Sequence, residues 1–247
     1  MNIKEYGTDN KETIVLLHGG GLSWWNYTEA AEILQEKYHV ILPILDGHAK
    51  SDRPFTSIEN NAAEIISYID DKLSGSVLLI GGLSLGGQVL LEMLSQRKDI
   101  CSYALIESAA VIPSKVTNKL ISPTIGSTYG LVKKRSFAKI QFQSLHIKSE
   151  LFEEYYRDTC LIKKQDMIAF LKANTSYSLK DTIKESSAEI HVCVGEKETK
   201  EILRSAELIS KTLPSCRLHH MKGLKHGEFS INHADKYAKA ILALCSS

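Results

Sequence analysis

Apolar runs without polar alternation recur along the chain at 13–17, 39–42, 76–81 and 102–106. Between them lie stretches whose apolar residues fall at helical spacing, 29–36, 59–73 and 85–97. A short unbroken apolar run reads as a strand buried on both faces, as in a parallel sheet covered by helices. Strand and helix signals in alternation predict βαβ units with right-handed crossovers. The rhythm breaks at Ala109. From there to Ser187 no comparable strand signal occurs, and helical stretches replace it: 149–158, with Leu151, Phe152, Tyr155 and Tyr156 on one face, and 166–173. The sheet pattern resumes at 190–194 and 217–221, and a final helix is expected over 234–244. The pattern predicts an α/β core of residues 1–108 and 188–247, a mostly parallel sheet flanked by helices, interrupted by a helical insertion of residues 109–187.

Where the run at 76–81 gives way to a helix, the chain reads Gly82-Leu83-Ser84-Leu85-Gly86. A serine between a buried strand and a helix can sit on a sharp elbow, its hydroxyl above the sheet and the next N–H at the helix N-terminus. Gly82 and Gly86, with Gly81 and Gly87 beyond, clear the space such an elbow needs. Ser84 is therefore read as a nucleophile. Glycine and serine are common in strand-to-helix turns, so two further segments must carry the reading.

One is His18-Gly19-Gly20-Gly21, directly after the run at 13–17. In acyl transfer the tetrahedral intermediate carries an oxyanion, and each preorganised N–H aimed at it contributes roughly a hundredfold to a thousandfold. The expected donors are the N–H groups of Leu85 and Gly20, with Gly21 the alternative to Gly20. The other segment is Gly223-Leu224-Lys225-His226-Gly227, after the run at 217–221. An imidazole supplies a base near neutral pH. His226, in its glycine-bounded loop, is preferred to His219 and His220, which point to opposite faces of a strand, and to His233, placed in the final helix.

These pieces, with Gly47-His48-Ala49-Lys50-Ser51 and Gly195 to Glu198 in their places between, resemble the α/β-hydrolase family over nearly the whole chain. The resemblance implies a Ser-acid-His triad in that chain order and a cap inserted after the strand that follows the elbow helix. The family often reads D-x-P-G-H-G-x-S after its second such strand; here Ile44-Leu45-Asp46-Gly47-His48-Ala49-Lys50-Ser51 moves the acid and loses a glycine. Where the family usually has aspartate, three residues beyond a strand-ending glycine, this chain has Gly195-Glu196-Lys197-Glu198. Glu198 is thus the expected triad acid. Glu107, directly after the run at 102–106, is its first rival and Glu196 its second.

Composition narrows the class. At 247 residues and 43% hydrophobic, the chain suits one catalytic domain. No apolar run approaches the roughly 18 residues of a membrane span. The first residues lack the pattern of a secretory signal, and five scattered cysteines suit a reducing compartment, so a cytoplasmic location is expected. Neither a cofactor nor a metal is implied. The insertion holds eight of the eighteen aromatic residues, among them Phe137, Phe142, Phe152, Tyr155, Tyr156 and Phe170; these would line an acyl pocket or form the insertion's own small core. It also carries 13 Lys and Arg against 7 Asp and Glu, in a chain whose net charge is +1. That skew would attract an anionic substrate or surface. A near-neutral whole and the lack of a recognition module speak against nucleic acid. The expected partner is a small-molecule ester, anionic or acyl-chain, and the expected activity is hydrolysis of a carboxylic ester or thioester. Cleavage of a carbon-carbon bond, acyl transfer, and ligand sensing with little turnover are the alternatives on the same residues.

Overall fold

A computed structural model, which describes residues 1–213 and 215–246, gathers the apolar runs into one seven-stranded sheet. The strands are β1 (Ile3–Tyr6), β2 (Thr13–Leu17), β3 (His39–Pro43), β4 (Val77–Leu83), β5 (Cys101–Glu107), β6 (Glu189–Gly195) and β7 (Arg217–Met221). Their spatial order is β1-β3-β2-β4-β5-β6-β7, with β1 antiparallel to β3 and the remaining neighbours parallel. The helices of the core are α1 (Thr28–Leu34), α2 (Ile58–Lys72) and α3 (Leu85–Gln96). Between β5 and β6 come α4 (Lys115–Val132), α5 (Arg135–Ser144), α6 (Phe152–Leu161) and α7 (Lys164–Ser176). After β6 follow α8 (Lys200–Thr212), α9 (Glu228–Asn232) and α10 (Ala234–Leu244).

The unbroken apolar runs have a simple cause. Val15 and Leu17 of β2 face a core shared with α2, α3 and α8, through Ile65, Ile69, Val89 and Ile209. Ile14 and Leu16 face the opposite core, under Ala30 and Leu34 of α1 and Tyr237 and Ile241 of α10. Successive side chains of a strand point to opposite faces, so a sheet covered on both sides needs apolar residues at every position. Helix α2 begins where Ser57 caps it, the hydroxyl accepting the Asn60 N–H at 3.0 Å, and buries Ile58, Ala62, Ile65 and Ile69 at helical spacing. No helix among the described residues is long and apolar enough to cross a membrane.

Two outcomes differ from the pattern. Strand β1, Ile-Lys-Glu-Tyr, has no apolar run because it lies at the sheet edge and is half exposed. The 149–158 stretch begins as a single 3-10 turn, Ser149–Leu151, before α6.

Polar contacts tie α6, α7 and the start of the stretch between β5 and β6 to the core. Trp25 Nε1–H donates to Asp158 Oδ2 of α6 at 2.9 Å. The Phe55 N–H donates to Asp166 Oδ1 of α7 at 2.9 Å, and Phe170 stacks on His48 with 4.5 Å between ring centres. Gln88 of α3 donates to the carbonyls of Ala110 and Asn174 and accepts from the Asn174 amide, gripping both ends of the inserted stretch. Asp158 is 1% exposed and Trp25 3%. Asp158→Ala would strand the buried indole N–H, and is expected to cost about 1–3 kcal/mol in urea unfolding, with Asp158→Asn recovering most of it by restoring an acceptor.

Candidate active site

Strand β4 runs two residues past its apolar run and delivers Ser84 to the N-terminus of α3. Ser84 has φ 53° and ψ −110°, a conformation that costs a residue with a side chain about 1–3 kcal/mol. The turn is held open by the Ser84 N–H on the Glu107 carbonyl at 2.8 Å and the Gln88 N–H on the Ser84 carbonyl at 3.0 Å. A Cβ on Gly82 would fall 2.6 Å from the Gly86 carbonyl carbon, and one on Gly86 2.6 Å from that of Leu17. Helix and strand cross here too closely for any side chain.

The loop after β2 faces this elbow. A Cβ placed on Gly20 would lie 3.6 Å from Cβ of Leu85, so the two glycine-loop and helix-start backbones are neighbours. The Leu85 N–H opens α3 and has no carbonyl one turn earlier to receive it. The Gly21 N–H is already committed, donating to His48 Nε2 at 3.0 Å. That leaves Gly20, of the two glycines considered, with the free N–H.

Two buried histidines shape this loop. His48 Nδ1 lies 3.0 Å from the Asp46 carbonyl, while His18 pairs Nδ1 with the Gly19 carbonyl at 2.9 Å and accepts the Leu45 N–H on Nε2 at 3.1 Å. Burial is the main cause that pulls His18 down to about 3 and His48 down to about 4. Both rings are therefore neutral near pH 7, and the network assigns the proton to Nδ1 in each. A histidine in a polar loop carries no local mark of such a role, and the sequence reading missed it.

On the other side of Ser84 stand His226 and Glu198. His226 Nδ1 lies 3.0 Å from Glu198 Oε2, and the second oxygen of Glu198 accepts the Ser108 hydroxyl. The Glu198 side chain is 1% exposed and that of His226 45%. Their loops are stitched together: the Glu196 N–H donates to the Met221 carbonyl and the Lys197 N–H to that of Leu224. A Cβ on Gly195 would sit 2.7 Å from the Leu224 carbonyl carbon, so this glycine permits the approach. Ser84, Glu198 and His226 line one cavity of about 390 Å³, with Leu22, Leu83 and Ile231 on its apolar wall.

The remaining candidates lie elsewhere. Glu107, 2% exposed at the end of β5, accepts the Ser230 N–H on Oε1 at 3.3 Å, and its Oε2 has no partner. Glu196 is exposed and accepts the Gly223 N–H. His219 pairs with His191 at 2.9 Å, and His233 stands between α9 and α10 rather than within the final helix.

Residues 12–159, more than half of the chain, match the family model described as the alpha/beta hydrolase fold. The chain belongs to the α/β-hydrolase family. It is 29% identical over 137 residues to Lipase 1 of Psychrobacter immobilis, covering 54% of this chain and 43% of that protein. The chain spans less than half the length of the curated relatives it matches. Among solved structures it is similar to an esterase from Exiguobacterium antarcticum, with TM-score 0.83, 20% identity, and 99% and 95% of the two chains covered. It is also similar to the enol-lactonase from Burkholderia xenovorans LB400, with TM-score 0.84, 14% identity, and 100% and 96% covered. These likenesses show the fold.

In this α/β-hydrolase burial and neighbouring groups shift His226 and Glu107. Burial works against charge on the His226 ring, but the hydrogen bond and charge of Glu198, with Glu107 adding, outweigh it and hold the imidazole above its ordinary pKa. Burial pushes the Glu107 carboxyl up to about 7, against a partial offset from Ser230. The cavity wall supplied by the inserted helices is Ser144, Leu145, His146 and Ile147. None of the inserted aromatics is among the lining residues. Phe142, Phe152, Tyr155 and Tyr156 pack on one another instead, and Phe170 lies beside Gly20 and His48.

Proposed function

We propose that this protein is a serine hydrolase that cleaves a carboxylic ester or thioester through an acyl-enzyme. His226 takes the proton of Ser84 as its Oγ attacks the carbonyl carbon, and the N–H groups of Gly20 and Leu85 receive the oxyanion. The imidazolium returns the proton to the leaving oxygen or sulfur as that bond breaks. Water, deprotonated by the same histidine, then releases the carboxylic acid and restores Ser84. Glu198 fixes the imidazole tautomer and stabilises the imidazolium without taking its proton. Residues 109–187 act as a cap on the core of residues 1–108 and 188–247. The five cysteines, all free thiols, are in keeping with a cytoplasmic setting.

The observation that carries this reading is the pairing of His226 with a buried carboxylate on the wall of the cavity that Ser84 enters. The lipase and esterase names of the similar proteins support the same chemistry. A p-nitrophenyl ester series from acetate to decanoate tests it. Turnover with a short to medium optimum is expected, since a cavity of about 390 Å³ is small for a long chain. A folded protein that cleaves none of the series, yet cleaves a carbon-carbon bond in a diketone, would replace this reading.

A further inference from the structure

Two lysines and a histidine line the proposed catalytic cavity. Lys197 stands next to Glu198 in sequence, Lys225 next to His226, and His146 reaches the same cavity from the inserted helices. Lys225 Nζ lies 3.1 Å from Nε2 and 3.4 Å from Nδ1 of His146, so the ammonium bridges the core and the inserted segment. Among the described residues neither lysine ammonium has a carboxylate within ion-pair distance. The nearby acids are engaged otherwise: Glu198 with His226 and Ser108, Glu196 with the Gly223 N–H, and Glu228 with the Lys225 N–H at 2.7 Å.

This rim is held in place. Asn232, just beyond the His226 loop, accepts the Lys148 N–H on Oδ1 at 3.0 Å and donates from Nδ2 to the His146 carbonyl at 2.8 Å. Two hydrogen bonds from one amide thus fix the segment that carries His146, a residue that adopts φ 56°. Apolar residues also line this cavity: Leu22, Leu83, Leu145, Ile147 and Ile231. Unpaired ammonium groups at the mouth of an apolar cavity concentrate and orient a ligand of opposite charge.

Resting on the serine hydrolase reading, we propose that Lys197 and Lys225 bind an anionic group, carboxylate or phosphate, on the leaving-group side of the substrate. The side follows from the chemistry: His226 must protonate the departing atom, so the group attached to that atom lies beside the imidazole, and Lys225 and Lys197 are the chain neighbours of His226 and of its partner Glu198 on the same cavity wall. The substrate class is an ester or thioester of an anionic alcohol or thiol.

The test compares 4-carboxyphenyl butanoate with phenyl butanoate, and adds the monophenyl ester of glutaric acid as the acyl-side anion. For the wild type, a kcat/KM ratio of charged to neutral leaving group about tenfold above that of the Lys197→Met, Lys225→Met double variant is expected at low ionic strength. Intrinsic reactivity and any general damage to the site cancel in that comparison. The wild-type ratio should also fall as salt is added. A ratio that neither salt nor the double substitution alters, or a lysine-dependent preference for the glutarate ester, would overturn the proposal. Binding separates it from the hydrolase reading. Ser84→Ala protein should bind 4-butanamidobenzoate about tenfold more tightly than the neutral butananilide by calorimetry, whether or not any ester turns over, and equal affinities would count against the cationic rim.

Discussion

Ser84→Ala is expected to lower kcat for p-nitrophenyl butyrate by at least about 10⁴-fold, with the fold and the His226–Glu198 pair intact. The substitution removes the attacking atom and little else. Among the described residues its Oγ has no hydrogen-bond partner, and alanine inherits the same Cβ and the same left-handed backbone, so Tm should hardly move. The residual rate would come from the Gly20 and Leu85 N–H groups acting on a bound ester attacked by water. A fluorophosphonate that labels the wild type at Ser84 should leave the variant unmodified by mass spectrometry. Retention of more than about a hundredth of kcat would mean that another group attacks the ester.

The second large effect separates the two buried acids. Glu198→Gln should cost about 10³–10⁴ in kcat, because an amide cannot stabilise the imidazolium and favours the wrong tautomer. It should also move the acid limb of kcat/KM. The base works when neutral, so that limb follows the pKa of His226, which in the wild type stands above its ordinary value of 6.5 and owes the rise chiefly to Glu198. Without the carboxylate the limb shifts to lower pH.

Glu107→Gln should leave most of kcat and lower the limb only slightly. Its main effect is on stability. The Glu107 carboxyl rises from its ordinary 4.5 to about 7 on folding, so the folded state holds its proton more tightly. The stability this contributes is complete below about 4.5 and is lost as pH rises through about 7. A glutamine never ionises. The variant should therefore exceed the wild type by about 1–3 kcal/mol in urea melts at pH 8, with the gap closing toward pH 5. Loss of kcat in Glu107→Gln with its retention in Glu198→Gln would make Glu107 the acid.

The sheet was legible wherever burial on two faces forced an unbroken apolar run, as in β2 and β3. It was not legible at β1, where edge exposure lets lysine and glutamate into the strand. The run at 76–81 understated β4 because its last residues include Gly81 and Gly82, which propensity reads as a turn while the ladder to β5 continues to Leu83. Chain order and loop glycines sufficed to name Ser84, His226 and Glu198 as candidates. The choice between Gly20 and Gly21 was beyond sequence, since it turns on His48, which lies 27 residues away and reaches the Gly21 N–H only in the folded loop. The aromatic content of 109–187 left a pocket lining and a local core both open, and Phe142, Phe152, Tyr155 and Tyr156 pack on one another. Aromatic count reports burial and carries no information about which cavity is being filled.

The grip of Gln88, Trp25 and the Phe55 N–H on the inserted helices, completed by the Asn232 strap beside the histidine, bears on the proposed reaction. If residues 109–187 cap the cavity as proposed, fastening at so many points would make them a standing doorway. Filling such a doorway would depend on diffusion and on the shape of the opening. On the proposed reading, an ester held in a droplet or bilayer would have to leave its neighbours and arrive as a single dissolved molecule before the chemistry begins.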